Sequence, residues 1–269
     1  MTSVPPARPP LDPDRLADAA GLHVEVVAAA PSTNALLAER ARQGAAEGLV
    51  VVAEHQTSGR GRLDRTWETP DRAALTFSVL LRPEVSAARW PWLPLLTGYA
   101  VARALRAGGH DALLKWPNDV LLGAEERKVA GILVERIETP QGAAAVAGIG
   151  LNVSVLPEEL PVDTATSLMI ETGVEPDRTE VLVEVLTTLR REYDAWRVGE
   201  EEFLRAAYLR ACVTVGRDVR VELPGAAPLV GRATGIDAGG RLVVQGPDGE
   251  VAVGAGDVVH VRPLNPSEG

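Results

Sequence analysis

Between residues 112 and 155 the chain runs through four strand-like segments, "ALLKW", "DVLL", "KVAGILVERIE" and "AAAVAGIGLNVSV", with only short breaks between them. A parallel strand pair needs a crossover of roughly a dozen residues or more, and these breaks leave no room for one. The stretch therefore predicts a mostly antiparallel meander rather than βαβ alternation. "LVVVAE" (49–54) and "AALTFSVLL" (73–81) read as two more buried strands. Helical spacing appears in "STNALLAERARQG", with Ser32 or Thr33 as cap and Gly44 as stop, and again over 92–109, ended by Gly108 and Gly109. Asp177 and Glu180 have capping-box spacing at the head of a third helix, whose Leu182, Val185, Leu186, Leu189, Tyr193 and Trp196 fall on one face, and "EEFLRAAYLRA" follows as a fourth.

After about residue 214 the texture changes to five short β segments separated by Gly, Pro and Asp, including the turns "AGG" and "PDG". That pattern predicts a small SH3-like β-barrel. The fold class expected is α+β: a mixed, mostly antiparallel sheet with helices over residues 13–213, then the barrel over 214–269. The Pro-rich residues 1–12 are expected to form a mobile, disordered tail.

Composition narrows the partners. The net charge of −10 would repel a phosphate backbone, so no DNA partner is expected and any basic surface must be local. The lone cysteine, Cys212, excludes an intramolecular disulfide and a multi-cysteine zinc site, and with no signal peptide it points to the cytoplasm. No apolar run is long enough to cross a bilayer, so no membrane partner is expected. Of 27 basic residues only Lys115 and Lys128 are lysines, and both fall in "KWPNDVLLGAEERK". A compact ammonium and a guanidinium fork are not interchangeable where a point charge meets an acyl or phosphate oxygen, although chance in a lysine-poor chain is the simpler reading of either one alone.

The loop "EHQTSGRGRLDRTW" (54–67) fits neither phosphate-binding template: the Walker loop needs a Gly-Lys pair, and Asp64 stands where a dinucleotide fingerprint needs its third glycine. Two readings remain, a glycine-hinged anion clamp and a solvated loop whose arginines pair with Asp64 and Glu68. "KWPND" sets a cation, an aromatic, a rigid turn, an amide and a carboxylate side by side, which is costly to bury without a ligand; a tight turn is the bland alternative. Gly131 and the glycines of "GIGLN" mark either close backbone approach or bulges. "PSTN" is a helix cap that could also offer free donors to a ligand. The four histidines are scattered without ligand spacing, so no resident metal is predicted and catalysis would work by positioning and electrostatics.

Together "STN", "Q…GRGRLDRTW", "KWPND", "RKVAGILVE", "GIGLN" and "TSL" resemble, in order and spacing, the motifs of biotin protein ligases, over roughly residues 22–262. The chain looks like the short class, with no room before the first motif for a DNA-binding helix-turn-helix and no repressor role expected. The resemblance implies a seven-stranded mixed sheet related to class II aminoacyl-tRNA synthetases, plus the SH3-like domain. It also implies a two-step reaction: biotin and ATP give biotinoyl-5′-AMP and pyrophosphate, then the lysine of a biotin carboxyl carrier domain of a carboxylase takes the biotin. By the same resemblance, Ser32, Thr33, Asn34, Gln56, Gly59, Arg60, Gly61, Arg62, Lys128 and Gly131 would surround biotin. Arg62, Arg65, Trp67, Lys115, Asn118 and Asn152 would address ATP. Lys128, Arg60, Arg62 and Asp119 would be catalytic, with Mg2+ accompanying ATP and approaching Asp119. The departure from pattern to watch is Asp64, an acid inside the loop. A lipoate or octanoate transferase is the rival within the same fold group, and an arginine-loop nucleic-acid binder is the rival outside it.

Overall fold

The computed structural model describes residues 8–17, 19–62, 65–223, 225–254 and 256–260, so Leu63 and Asp64 lie outside the described residues. In chain order the strands of the first domain are β1 (His23–Ala30), β2 (Leu49–Gln56), a two-residue ribbon of β3 (Gly59–Arg60) and β4 (Thr66–Trp67), β5 (Ala74–Leu81), β6 (Leu113–Lys115), β7 (Asp119–Leu122), β8 (Arg127–Thr139) and β9 (Gly142–Asn152). All but β3 and β4 form one sheet in the order β1-β2-β5-β9-β8-β7-β6. Only the β1–β2 pair is parallel, bridged by helix α2 (Thr33–Arg42), after the single-turn α1 (Pro13–Leu16); every other pairing is antiparallel. The predicted meander is therefore present. Strand β1 was not foreseen from "HVEVVAAA", because an edge strand left half-exposed lacks the continuous burial that marks its neighbour "LVVVAE".

The two faces of the sheet are covered unequally. Val50, Val52, Leu75, Phe77 and Val79 face helices α3 (Leu93–Ala107) and α5 (Arg178–Arg197), beyond the short α4 (Leu168–Thr172), in the larger core, which α6 (Glu201–Ala211) extends. Alternate residues Val51, Leu80 and Val146 pack on the other face against Leu37 and Ala41 of α2. That alternation is the period of two expected of strands buried on both sides. Helix α5 carries the six predicted apolar positions, all buried, each contributing on the order of 2 kcal/mol relative to exposure. Its N-cap is Asp177, which accepts from the amides of Thr179 and Glu180.

Residues 1–7 of the expected tail lie outside the described residues, and residues 8–12 do not form the mobile tail that their composition predicted. Arg8 is buried and donates to the Ser154 carbonyl at 2.9 Å, and it pairs with Glu159. The Leu11 amide donates to Glu54 at 2.6 Å, and Glu54 is itself paired with buried Arg178 at 2.7 Å. Partners this far away in sequence leave no local signature.

The second domain is a five-stranded antiparallel sheet of β10 (Asp218–Glu222), β11 (Leu229–Ile236), β12 (Leu242–Gly246), β13 (Gly249–Val253) and β14 (Asp257–His260), in the order β13-β12-β11-β10-β14. It docks where β6 and β7 end: the indoles of Trp116 and Trp92 donate to the carbonyls of Gly240 (3.1 Å) and Ala238 (2.7 Å), and Arg217 pairs with Glu126. Among the described residues no helix is long and apolar enough to cross a membrane.

Candidate functional site

The site grows from the sheet face that α2 covers only in part. Across the strands Thr76, Gly150, Gly131 and Asp119 stand in one register row, and Ser78, Gly148 and Leu133 in the next. Glycine at three of these seven positions hollows the face. A Cβ on Gly148 would lie 2.1 Å from the Asn34 Oδ1, and one on Gly150 would lie 2.4 Å from the Trp67 ring. The glycines of "GIGLN" and "KVAG" thus mark close approach rather than bulges, and what approaches is the protein's own Asn34 and Trp67.

A bulge does occur one step away. Ala130 opposes Val120 while Lys128 opposes Leu121, leaving Val129 without a partner. The extra residue turns Lys128 onto the glycine face, where its Nζ would sit 3.3 Å from a Cβ on Gly131. The Lys128 backbone is clamped by the chain ahead of "TSL": its amide donates to the Thr164 carbonyl (2.8 Å) and its carbonyl accepts from the Thr166 amide (2.8 Å). Lys128 Nζ lies 2.6 Å from Asp119 and 5.7 Å from the Trp67 ring centre.

One end of the cavity, about 110 Å3, is a neutral hydrogen-bonded pocket. Ser32 caps α2, its Oγ accepting from the Ala35 amide. Gln56 Oε1 accepts from the amide of Thr33 (2.9 Å), with the Thr33 hydroxyl 3.2 Å away. Ser78, which the sequence reading missed, lies within 2.8 Å of the Thr33 hydroxyl and 2.6 Å of Asn34 Oδ1. All these side chains are buried. Gly59 pairs with Trp67 across the ribbon so tightly that a Cβ there would meet the Trp67 carbonyl oxygen at 2.1 Å and Gln56 at 2.4 Å.

The other wall is the arginine loop, closed over the face. Arg60 reaches Glu135 at 3.2 Å, and Arg62 donates to Asn118 Oδ1 at 3.0 Å and toward the Gly256 carbonyl of the barrel. Arg65 pairs with Asp257, also of the barrel. Burial pulls the Arg62 guanidinium below its ordinary pKa, with Asp257 and Asp119 opposing the shift. The alternative reading of the loop paired these arginines with Asp64, which lies outside the described residues, and Glu68, which none of them meets; their carboxylates, Glu135 and Asp257, come from elsewhere in the sequence. Gly61 continues the cavity wall, and the Trp67 indole nitrogen is buried with no hydrogen-bond partner among the described residues.

Beyond Lys128 the cavity opens into a groove of about 1140 Å3 between sheet and barrel, lined by Lys115, Asn152, Arg217 and His260 among others. Lys115 has no carboxylate within ion-pair distance among the described residues, and burial lowers its pKa. Burial, reinforced by Lys115 and Arg217, takes His260 down to about 4. Asn152 donates to the Thr166 carbonyl (2.9 Å) and Asn118 to the Ile132 carbonyl (2.9 Å), so both amides brace the backbone around the site as well as lining it. No three His, Cys, Asp or Glu among the described residues are grouped to hold a metal, and Asp119 is engaged by Lys128. The site thus brings together the residues the sequence singled out. Ser78, Glu135 and Asp257 were missed: Glu135 could have been found by stepping in twos along β8 from Gly131, but Asp257 has no sequence signal near the loop it meets.

Comparison with known proteins finds matches to both parts of the chain. Residues 26–152 match the biotin/lipoate A/B protein ligase family, and residues 214–261 match the biotin protein ligase C-terminal domain. The chain is 42% identical to the biotin–acetyl-CoA-carboxylase ligase of Mycobacterium tuberculosis, over 97% of this chain and 100% of that protein. It is 33% identical to the bifunctional ligase/repressor BirA of Escherichia coli, over 90% of this chain and 75% of that protein. A biotin protein ligase from Aquifex aeolicus, solved in complex with biotin and ATP, superposes with a TM-score of 0.75 at 30% identity, over 89% of this chain and 99% of that one. The sheet that floors the cavity and the barrel that closes it are each matched, and the chain belongs to the biotin protein ligase family.

Proposed function

We propose that the chain activates biotin with ATP as biotinoyl-5′-AMP and passes the biotinoyl group to a lysine of a carboxylase's biotin carboxyl carrier domain. The observation that carries this reading is the order of chemistry along the cavity: a neutral hydrogen-bonding pocket at one end, Lys128 and three arginines in the middle, and a wide groove beyond. A compact ring with polar edges suits the first. Gln56 Oε1 is already occupied by Thr33, so its amide donors are left for a ureido oxygen, and Ser32 and Thr33 complete the set. A lipoyl or octanoyl chain would bury those donors unpaired, a strong penalty.

Lys128 stands where the acid's carboxylate would meet the α-phosphate. The carboxylate oxygen attacks phosphorus, the bond to the bridging oxygen breaks and pyrophosphate leaves. An ammonium there, together with Arg60 and Arg62, stabilises the charge that gathers on the phosphoryl oxygens. Lys128 would exchange Asp119 for substrate, which frees the Asp119 carboxylate to orient the incoming lysine amine. That amine attacks the acyl carbon, AMP departs, and the amine proton leaves with solvent. Trp67 offers a face to adenine, while Lys115, Arg65, Asn118 and Asn152 line the path of the nucleotide. Magnesium would accompany ATP's phosphates, and Asp119, once released by Lys128, would be the carboxylate to share it. The single cysteine, a buried thiol, fits a reducing cytoplasm.

Incubation with magnesium-ATP and biotin, lipoate or octanoate in turn, followed by mass spectrometry of the small-molecule fraction, tests the reading. Biotinoyl-AMP alone is expected. Lipoyl-AMP in its place would overturn it, and salt-dependent capture of DNA or RNA would revive the nucleic-acid alternative.

A further inference from the structure

The arginine loop does not rest on the cavity wall directly. Behind Arg60, outside the cavity lining, stands Glu135 on β8. One oxygen of this carboxylate, Oε2, accepts from Arg60 (3.2 Å) and from Asn34 Nδ2 (2.7 Å). Asn34 is itself fixed on every side. Its amide group also donates to the Leu133 carbonyl at 3.1 Å, and its Oδ1 accepts from Ser78 at 2.6 Å. Gly148 leaves the room that this amide needs, since any Cβ there would overlap it. With the single Ser78 proton given to Asn34, the Thr33 hydroxyl donates to the Ser78 oxygen (2.8 Å), and the Thr33 backbone amide donates to Gln56 Oε1 (2.9 Å). An unbroken chain of hydrogen bonds therefore runs from Gln56, through Thr33, Ser78, Asn34 and Glu135, to Arg60 of the loop.

We propose that Glu135 is the positioning residue of the loop: a carboxylate held ready by Asn34 that latches Arg60 and ties the closed loop to the state of the ring pocket. The proposal rests on the reading of the cavity as the site of biotin and its adenylate. Glu135 does not touch the cavity, so it acts through Arg60. An ordinary exposed Arg–Glu pair must immobilise two flexible side chains and gains little. Here one partner is already fixed by a buried amide, so closing the loop orders only Arg60. The shared acceptor also makes the coupling two-way. A ligand that draws Thr33 or Ser78 toward itself weakens or strengthens the hold of Asn34 on Glu135, and through it the grip on Arg60.

The test compares the full chain with Glu135→Gln, Arg60→Ala and the double variant. Glu135→Gln should speed release of pre-formed biotinoyl-AMP in a dilution chase by about fivefold, the scale of one latched charge pair. In the Arg60→Ala background the same change should add nothing further, because the latch has lost its partner. Unchanged release from Glu135→Gln, or effects of the two substitutions that multiply, would overturn the proposal. Amide exchange of ligand-free protein gives a readout independent of activity: Glu135→Gln should raise exchange across residues 57–62 and leave β9 as before. Exchange that is unchanged in the loop, or that rises equally through β9, would count against a latch. An unsubstituted chain that makes no biotinoyl-AMP would instead sink the functional reading, and loop exchange would still decide the latch.

Discussion

The two ends of the cavity are built from different materials. The ring pocket uses neutral groups, Thr33, Gln56, Ser78 and Asn34, all buried and bonded to one another before any ligand arrives. The loop and groove use charges, Arg60, Arg65 and Lys128, part-exposed and paired with Glu135, Asp257 and Asp119. A buried neutral network is rigid where its members bond one another, and costly where its remaining donors are left unpaired; this suits selection among acids. Part-exposed ion pairs are weak and exchangeable, which suits groups that must let go of one partner to meet a phosphate. Selectivity and turnover are thereby assigned to opposite ends of one small cavity.

The sharpest way to break this comparison is at Lys128. If the charged end does the chemistry, Lys128→Arg should lower biotin-dependent pyrophosphate exchange on the order of 100-fold, because a guanidinium keeps the charge but cannot place it as an ammonium does. Near-unsubstituted exchange rates would mean that the acyl and phosphoryl oxygens are served elsewhere. At the neutral end, Ser78→Ala should weaken biotin by about tenfold and lower the melting temperature, since Asn34 Oδ1 loses its donor in a buried site, a loss of roughly 1–3 kcal/mol. Calorimetric titration beside thermal melting measures both, and a change in affinity with no change in melting would show that the network is not structural.

The smallest effect expected is at the barrel, and it depends on pH. His260 sits among Thr214, Arg217, Lys115 and Glu126, and its folded value near 4 lies below the ordinary 6.5. Between those values the unfolded chain binds the extra proton, so stability should fall as pH drops from 6.5 toward 4 and be unaffected above 6.5. Melting curves across that window should be flatter for His260→Gln than for the unsubstituted chain. The difference should be a few degrees at most, because the ring is partly open to solvent. Equal slopes would place the acid sensitivity in other groups.

Much of the site was legible before the fold was known. Lys128, Asn118 and the loop arginines stood out because an arginine-rich, asparagine-poor chain had concentrated its two lysines and three of its four asparagines into short segments. The glycines at 131, 148 and 150 were legible as places of either close approach or a bulge, but not which of the two, nor what approached them. The reading of Asn118 and Asn152 as ligand contacts alone was incomplete, since each also braces a carbonyl through a side-chain bond no local pattern announces. Arg8 and Leu11 were misjudged for the same reason, their partners lying 43 or more residues away.

Legible along the chain were the strands of the antiparallel meander and of the barrel, the four longer helices with their apolar faces and caps, and the chemical types gathered for the site. These depend on period, on turn residues and on charge, which are properties of neighbours along the chain. Tertiary packing set the parallel pairing of β1, which carboxylate meets which arginine, the bulge beside Val129 that turns Lys128 onto the glycine face, and the hold of the barrel's Gly256 and Asp257 on the loop. Those outcomes depend on register and docking, where a shift of one residue reverses a side chain's direction, and no local stretch of the sequence carries that information.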